Sequence, residues 1–567
     1  MAQPKRVLLL LCLVCAAIGG CASLQRQPPP APDRPVVLDR ARSEAYASYL
    51  LAQYYLSVNE TEKAVAAYEA ALQHDPDSPT LLTELSTLYI RLGDIEKALE
   101  AAVKATEVDP THEEAFLLLG RLYAGLGQNH KAIEAYRHVI ATNPANADVY
   151  LLLGTLYAQE GRFNEALKTL DQLRLLLPDN PLAAYYRARI FLDMKFYEQA
   201  EAAYQEVLEL SPTFENALLD LAYIYEVTDR FQEAEETYLR ILSFKPTSVE
   251  ARVQLGNLYM RQRHYDKALE QFDILSRRNA SDLESRLKIG IIHLQQGELE
   301  RAVEDFNALL RDRPQYDQAL YYLGTTYEEQ GNLQEALVNF RAIAKDSPLW
   351  PNAQIRLAVL FSKMEDHRSG IECLRRAIAE RPEEQDFYLY LAYLLEETKD
   401  YAGALDVLNQ GLERSPEDVE LLFRKAVVLD RLDRKDEAIQ VMQKILSFDP
   451  ENAGALNYIG YIYADRGIRL QEAKTLIERA LAREPEDGYI MDSLAWVYFK
   501  MGEYQKALEI MRKALRRVPD DPVMLEHLGD IYRALGRPQD AREAYERAIE
   551  NGHQEPEAVR KKMEGSV

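Results

Sequence analysis

The sequence predicts an all-α protein built from about fifteen consecutive helical hairpins. Three observations carry this prediction: prolines recur every 34 residues along most of the 567-residue chain, two further positions of the same period hold only small residues, and Tyr occurs 35 times against 2 Trp. A fixed period of this length indicates a repeat protein in which each unit is one small supersecondary element. The hydrophobic content of 47% excludes a disordered chain, and the modest Gly and Pro content excludes a fibrous one.

The N-terminus is a predicted signal peptide covering residues 1–20. Lys5 and Arg6 precede an apolar run at 7–18, which is too short to cross about 30 Å of hydrocarbon. The run ends in two Gly followed by Cys21, and this order resembles the lipobox of bacterial lipoproteins. The resemblance implies that Cys21 carries a lipid, and Ala22 after it implies sorting to the outer membrane, on the periplasmic face. The alternative is an ordinary signal peptide cleaved near the same Cys.

Residues 21–44 form a predicted lipidated tether. Its composition is unusual because five prolines fall within eight positions: Pro28, Pro29, Pro30, Pro32 and Pro35. Such sequence favours the extended polyproline II conformation, so the tether could hold the folded part roughly 60 Å from the membrane. The net charge of −24 disfavours nucleic acid as a partner, and we expect membrane contact through the lipid alone.

The repeats are predicted to cover residues 45–555. Proline marks position 32 of each repeat, except where Ala280 replaces it, and one extra residue is inserted near Gly467. The prolines in this register are Pro76, Pro110, Pro144, Pro178, Pro212, Pro246, Pro314, Pro348, Pro382, Pro416, Pro450, Pro485 and Pro519. The fifteen repeats then begin at 45, 79, 113, 147, 181, 215, 249, 283, 317, 351, 385, 419, 453, 488 and 522.

Each repeat contains two amphipathic helical stretches separated by a polar break, and we name them helix A and helix B. Position 8 in helix A is always Gly, Ala or Ser, and position 20 in helix B is always Ala or Gly. We expect the two helices to touch at these positions, where a larger side chain would cost about 1 to 3 kcal/mol by overpacking. Tyr at position 11 of most repeats accounts for the excess of Tyr.

The period and the Gly, Tyr, Ala, Phe and Pro positions resemble those of tetratricopeptide repeat (TPR) proteins. The resemblance covers 45–555 and implies a right-handed superhelical solenoid with a concave groove, lined by positions 2, 5, 9, 12 and 13 of helix A. Position 4, commonly aromatic in the family, is Arg252 and Arg286 in repeats 7 and 8, beside the missing proline. We therefore expect a looser joint at 249–316. Residues 556–567 are expected to form a short polar capping helix and tail.

No catalytic site is predicted. The repeats leave no length for an added catalytic domain, and the chain lacks the phosphate-loop, dinucleotide and nucleophile-elbow motifs. His112 and Glu113 begin a pattern typical of zinc proteases, but Phe116 occupies the position of its second His. Cys373, the thiol that remains once the N-terminal Cys residues are processed, is expected in the core. The interpretation is a protein that is not an enzyme and uses no metal or cofactor.

We expect protein or peptide partners to bind in the groove. Aromatic side chains on a rigid surface are typical anchors for such partners, although each could instead pack against a neighbouring helix B. The oligomeric state does not follow from the sequence. The candidate binding residues are Tyr223, Tyr321, Leu389, Tyr393, Phe423, Val427, Tyr461 and Trp496, with Arg121 and Arg189.

Repeats 13 to 15 carry a more specific resemblance. Segments 457–467, 472–474, 491–497 and 526–530 are similar to the C-terminal signature of proteobacterial outer-membrane TPR lipoproteins. One member of that group is an adaptor that binds and activates a periplasmic carboxyl-terminal processing protease. The resemblance implies a scaffold that recruits or activates such a protease together with its cell-envelope substrates. The alternative is a lipoprotein subunit of an envelope assembly machine, such as a pilus or an exopolysaccharide export system.

Overall fold

The computed structural model describes residues 40–564, so the predicted signal peptide, Cys21 and most of the tether lie outside the described residues. Within 40–564 all regular structure is helical, and the helices group into two compact units, 40–246 and 247–564. The helices of the first unit are α1 (Arg40–Ser57), α2 (Thr61–His74), α3 (Pro79–Leu92), α4 (Ile95–Val108), α5 (Glu113–Gly125), α6 (Asn129–Thr142), α7 (Ala147–Gln159), α8 (Phe163–Leu176), α9 (Pro181–Asp193), α10 (Tyr197–Leu210), α11 (Glu215–Val227) and α12 (Phe231–Phe244).

The second unit continues the alternation of helix A and helix B and adds one terminal helix. Its helices are α13 (Val249–Arg261), α14 (Tyr265–Arg278), α15 (Leu283–Gln295), α16 (Leu299–Asp312), α17 (Asp317–Glu329), α18 (Leu333–Ala342), α19 (Trp350–Lys363), α20 (His367–Glu380), α21 (Gln385–Glu397), α22 (Tyr401–Arg414), α23 (Val419–Arg431), α24 (Lys435–Phe448), α25 (Ala453–Asp465), α26 (Leu470–Arg483), α27 (Gly488–Lys500), α28 (Tyr504–Arg517), α29 (Pro522–Ala534), α30 (Pro538–Glu550) and α31 (Pro556–Glu564). Consecutive helices within each unit pack together. The predicted all-α array of hairpins is therefore confirmed. No helix in 40–564 has both the length and the apolar character needed to span a bilayer.

The two small positions mark the crossing of helix A with helix B, as predicted. A Cβ atom on Gly120 of α5 would lie 2.4 Å from Cε1 of Tyr136, a fully buried side chain on α6. The same approach recurs between Gly290 and Phe306, where the distance would be 2.6 Å. An aromatic ring at position 24 thus occupies the space that a side chain at position 8 would need. This explains why position 8 never carries a large residue.

The turn between helix A and helix B has one backbone feature that the sequence did not reveal. Position 15 has a positive φ in every described hairpin, from Asn59 at 62° to Gly536 at 70°. Only about half of these residues are Gly, and Arg263 and Lys399 adopt the same left-handed conformation. The inserted residue of repeat 13 is Arg469, which also has a positive φ and delays the start of α26. The turn geometry is therefore kept even where it is unfavourable for the side chain.

The turn from helix B to the next helix A uses the periodic proline and an N-cap. Asp418 follows Pro416 by two residues and accepts a hydrogen bond from the Leu421 backbone N–H at 2.9 Å. Asp487 accepts in the same way from two backbone N–H groups at the start of α27. Proline ends the preceding helix because it cannot donate to the helical ladder, and the cap side chain starts the next helix.

An irregular hairpin lies in repeat 9, which the sequence did not indicate. In repeats 7 and 8 the helices α13 to α16 have ordinary lengths. Their unusual residues at position 4 are both paired, because Arg252 donates to Gln271 at 2.9 Å and Arg286 donates to the Asp312 carboxylate at 2.6 Å. By contrast α18 ends early, and Ile343 leaves the helix in an extended conformation with its side chain buried. Motion at 249–316 stays a prediction.

The ends of the described chain differ. Helix α1 begins at Arg40, within the segment predicted as tether. At the other end α31 packs on the last hairpin, where Val559 is fully buried against Ala541 and Tyr545. The predicted C-terminal capping helix therefore has a packing partner.

Candidate binding surface

Six predicted binding residues lie on four successive A helices of repeats 11 to 14. We call the surface that these helices form the C-terminal surface. Helix α21 contacts α23, α25 contacts α27, and the Tyr458 hydroxyl of α25 donates to the Ala426 carbonyl of α23 at 3.3 Å. The six residues on this surface are Leu389 and Tyr393 on α21, Phe423 and Val427 on α23, Tyr461 on α25 and Trp496 on α27.

Tyr393 is an exposed aromatic residue of this surface. The guanidinium of Arg424 lies 3.6 Å from its ring centroid and also donates to the Glu396 carboxylate at 2.6 Å. The ring is therefore held in place by a cation that is itself paired. A partner side chain could contact the ring without first ordering it. Leu389, Phe423 and Val427 are only partly exposed.

Tyr461 lies at the centre of an acidic region. Burial raises the pKa of its hydroxyl, and the carboxylates of Asp465, Asp492, Asp430 and Glu526 raise it further. These carboxylates belong to four different A helices, α23, α25, α27 and α29. Carboxylates from four helices thus act together on the pKa of the Tyr461 hydroxyl. The phenol stays protonated and can donate a hydrogen bond at any physiological pH.

Trp496 is packed rather than presented to solvent. It is 7% exposed, because its ring is stacked against His527 at 4.1 Å on α29 and against Phe499 at 4.8 Å. Its predicted role as an aromatic anchor would therefore need the neighbours to move. In the structure its ring joins repeats 14 and 15.

Three buried polar atoms near these residues have no hydrogen-bond partner among the described residues. They are Oδ1 of Asp430 on α23, Oδ1 of Asn457 on α25 and Nε1 of Trp496 on α27. An unsatisfied buried polar group costs about 1 to 3 kcal/mol. Two acceptors and one donor on three successive A helices are thus left unsatisfied, and a bound molecule can reach them only where the side chains that cover them move.

A buried ionic network joins repeats 14 and 15, and the sequence reasoning assigned it no role. His527 and Asp492 meet at 2.9 Å through Nδ1 and Oδ1, and both side chains are nearly inaccessible. Burial on its own lowers the pKa of His527, but Asp492, with Glu526 and Asp530 near it, raises that pKa overall. The sequence did contain a sign of this pair, because Asp492 and His527 lie on the otherwise apolar faces of α27 and α29. Position counting alone could not show that the two residues meet.

The same network reaches the capping helix. Asp530 accepts from the Tyr545 hydroxyl at 2.6 Å, and the ammonium of Lys562 on α31 lies 2.5 Å from the Asp530 carboxylate and 2.7 Å from that of Glu526. These contacts fix α31 on α29. They also explain why acidic residues are tolerated at buried positions of the last repeat.

The other predicted residues lie apart from the C-terminal surface. Tyr321 on α17 packs edge-on against Phe340. The next residue, Tyr322, lines a pocket of about 350 Å³ together with Leu287 and Ile291 of α15, but Tyr321 itself does not line it. In the first unit Tyr223 on α11 and Arg121 on α5 are exposed. Arg189 on α9 is exposed too, and its guanidinium lies 3.7 Å from the carboxylate of Asp220 on α11.

Chemically, the described residues offer surfaces for binding. Within 40–564 no group of three or more His, Cys, Asp or Glu side chains has the arrangement needed to hold a metal ion. Cys373 is buried, and burial raises the pKa of its thiol, which makes it a poor nucleophile.

Comparison with known proteins agrees with the repeat architecture. Two family models, both described as tetratricopeptide repeat, match most of the chain. One matches residues 55–122, 123–190, 191–247 and 395–457, and the other matches 253–317, 287–349, 355–418, 465–522 and 493–556. A TPR repeat-containing protein of Pseudomonas aeruginosa is 42% identical over 59 residues, which is 10% of this chain and 10% of that protein.

Several solved structures are similar to the chain in part. MamA is 23% identical, covers 29% of this chain and 95% of its own, and has a TM-score of 0.28. A tetratricopeptide repeat protein of Parabacteroides merdae is 19% identical, covering 44% of this chain and 98% of its own, with a TM-score of 0.32. A chain in the structure of Naa15/Naa10 bound to HypK-THB is 13% identical, covering 92% and 99%, with a TM-score of 0.34.

The family models settle the class of the protein because they match far more than half of its residues. Repeats of this kind form scaffolds for protein–protein interaction, which are typically non-catalytic. The periodic prolines, the small crossing positions and the matching models lead to one conclusion: this chain belongs to the tetratricopeptide repeat family.

Proposed function

We propose that the protein is a lipid-anchored scaffold of the outer membrane, which faces the periplasm and binds extended segments of other proteins on the C-terminal surface. It acts by holding its partners and catalyses no reaction itself. The observation that carries the proposal is the exposed ring of Tyr393, which Arg424 holds in place, on a surface where Asp430 and Asn457 also carry buried unpaired oxygens.

An extended peptide matches the chemistry of this surface. Each residue of a peptide main chain offers one N–H donor and one C=O acceptor. Once the side chains that cover them move aside, Asp430 and Asn457 supply acceptors, and the Trp496 indole supplies a donor. On α21, which contacts α23, exposed Tyr393 and partly exposed Leu389 offer apolar contact for side chains. A bound peptide would therefore satisfy buried groups and cover apolar area at the same time.

The anchor is supported by the order of the N-terminal residues. A basic start, a short apolar run and small residues before Cys21 are the features that lipoprotein processing requires. The proline-rich segment that follows would separate the helical repeats from the membrane. Lipidation at Cys21 together with Ala22 gives the proposed location at the outer membrane.

The proposed partners include a periplasmic protease and its cell-envelope substrates. The similarity of segments 457–467 and 526–530 to the signature of the outer-membrane TPR lipoproteins supports this choice. Those segments lie on α25 and α29, which flank α27 of the C-terminal surface. A scaffold that binds both protease and substrate raises their effective concentration without any chemistry of its own.

Capture of partners from solubilised membranes tests the binding surface. The test variant combines Tyr393→Ala with Asn457→Ala, since Tyr393 is exposed and Asn457 carries an unpaired atom. Trp496 is avoided because its removal would also disturb the packing of His527. Val338→Ala, an exposed apolar residue on helix B of repeat 9, is the control. We expect the captured amount to fall about fivefold or more for the test variant alone. Equal capture by both variants would contradict the assignment of the surface.

Membrane fractionation tests the anchor separately. Cys21→Ser removes the acylated thiol, so the protein should move from the outer-membrane fraction to the soluble fraction. Unchanged fractionation would refute the lipid anchor and leave the binding surface as a separate question.

A further inference from the structure

A pocket opens beside the turn that joins helix A to helix B in repeat 7, and it shares no residue with the C-terminal surface. Its volume is about 440 Å³, which lies within the range of ligand pockets. The turn itself, the first turn of α14 and the residue that follows α15 form its walls. We call it the turn pocket, and its lining residues are Arg263, His264, Tyr265, Asp266, Lys267 and Gln296.

The turn pocket is basic although the chain is acidic. Residues 260–267 contain three Arg or Lys and one Asp, so their formal charge is +2 with His264 neutral. None of the other A-to-B turns has so high a formal charge over the same positions, and the whole chain carries −24. The side chains of Arg263, His264 and Lys267 are exposed. Negative groups are therefore attracted to this turn, while most of the chain repels them.

The charge of Arg263 is available to a ligand. Its guanidinium forms no hydrogen bond or ion pair with another residue of the described range 40–564. By contrast Arg230, beside the same turn of repeat 6, donates to the carboxylates of Glu201 at 2.7 Å and Glu233 at 2.9 Å. Arg263 thus keeps its donors for a carboxylate that the protein itself does not supply.

The start of α14 supplies further donors. His264 is the N-cap residue and its side chain makes no capping hydrogen bond, so the first backbone N–H groups of α14 lack a side-chain acceptor. Helices α12 and α16 also begin without a side-chain cap, so this feature alone does not distinguish the site. Here it is combined with the exposed cations. The acidic lining residue, Asp266, accepts a hydrogen bond from Gln296 at 3.4 Å, which compensates part of its charge.

We propose that the turn pocket binds an acidic segment of a partner protein, with a carboxylate of that segment paired to Arg263 and Lys267. A guanidinium and a carboxylate match each other in geometry as well as in charge. The pocket is larger than one carboxylate needs, and the partly buried ring of Tyr265 gives a neighbouring residue of the segment an apolar wall. Because the site is separate from the C-terminal surface, both can be occupied at once.

Other anionic ligands fit less well. Inorganic phosphate would leave most of the 440 Å³ empty. An anionic bilayer or a nucleic acid would face a large part of the chain, whose net charge of −24 opposes the approach. A short peptide segment instead responds to the charges within about 10 Å, the screening length at moderate salt. Those charges are the basic ones of the turn.

Fluorescence anisotropy of a labelled hexaglutamate peptide, added to the solubilised full chain at low salt, tests the proposal. Arg263→Gly removes the cation, and the fold should be kept because the φ of 60° at this residue suits glycine. Lys399→Gly is the matched control, since Lys399 holds the same position in repeat 11 with a φ of 62° and carries the same charge. We expect the dissociation constant to rise about fivefold for Arg263→Gly and to stay unchanged for Lys399→Gly.

Charge reversal gives a second measurement. Arg263→Glu should prevent binding of hexaglutamate, and Glu365 at the same position of repeat 10 shows that this backbone accepts Glu. The wild-type complex should weaken as salt is raised, and neutral hexaglutamine should not bind. Equal binding by Arg263→Gly and Lys399→Gly, or no binding by the wild type, would overturn the proposal. So would complete displacement of the peptide by millimolar phosphate, which would assign the pocket to a small anion. Binding to phosphatidylglycerol vesicles that depends on Arg263, without peptide binding, would assign it to a lipid surface and overturn the proposal as well.

Discussion

Substitution of Gly120 by Ala tests the packing rule on which the repeat architecture rests. The new Cβ atom would lie 2.4 Å from Cε1, 2.7 Å from Cδ1 and 3.0 Å from Cζ of Tyr136. The Tyr136 ring is buried among α6, α7 and α8 residues, so it has little space to move away. Helices α5 and α6 must separate instead, which costs about 1 to 3 kcal/mol.

Gly125→Ala on the same helix is the matched control. A Cβ atom at Gly125 meets nothing within 4 Å, and its φ is not positive. Both substitutions gain helix propensity, so their difference isolates the packing contribution. Hydrogen exchange of the α5 and α6 amides is the appropriate assay, because a repeat array can open locally. We expect the free energy of local opening to be about 1 to 3 kcal/mol lower for Gly120→Ala than for Gly125→Ala. Equal or greater protection in Gly120→Ala would refute the reasoning.

Three further predictions concern the turns, the buried network and the capping helix. Lys399→Gly should raise the free energy of unfolding by about 0.5 to 1 kcal/mol in a urea titration, because its φ of 62° is unfavourable for a side chain; lower stability would contradict this. The pKa of His527 is raised, so the stability from its pairing with Asp492 is complete below pH 6.5 and is lost as pH rises through the folded pKa. Amide protection in α27 and α29 should fall with rising pH, and Asp492→Asn should flatten this dependence; an unchanged profile in that variant would exclude the pair as its source. Val559→Ala should destabilise the docking of α31 by about 2 kcal/mol, seen as faster proteolysis near residue 552, and an unchanged cleavage rate would show that α31 is held by other contacts.

The hairpins could be predicted because their contacts are local in sequence. Gly120 and Tyr136 meet across one turn, and the same pair of positions meets at Gly154, Gly256, Gly290, Gly324 and Gly529. Because each repeat has the same packing requirement, the same residue types recur at fixed spacing, and the pattern is easy to detect in the sequence. The turn at position 15 was missed because its left-handed backbone accepts Arg263 and Lys399 as well as Gly. Composition alone therefore does not reveal it.

The binding residues could be predicted only in part. Position counting placed Tyr393 and Trp496 on the same face of their helices, and the structure keeps them on the C-terminal surface. It exposes Tyr393 and buries Trp496, since His527 of the next repeat lies against the indole ring. Trp496 is buried by a residue of the next repeat, and counting positions within one repeat does not show such a contact.

The sequence by itself determined the helical repeat, the family and the crossing points, because each depends on side chains that recur at fixed spacing within one hairpin. Only the tertiary structure decided which polar atoms are left unpaired and which aromatic rings are covered. It also revealed that Leu51 and Tyr54 of α1 are exposed although the same positions of repeat 2 are buried, since an apolar residue looks the same in sequence whether or not a helix packs on it. Burial is a property of neighbours, and the neighbours of a repeat are fixed by stacking rather than by its own residues.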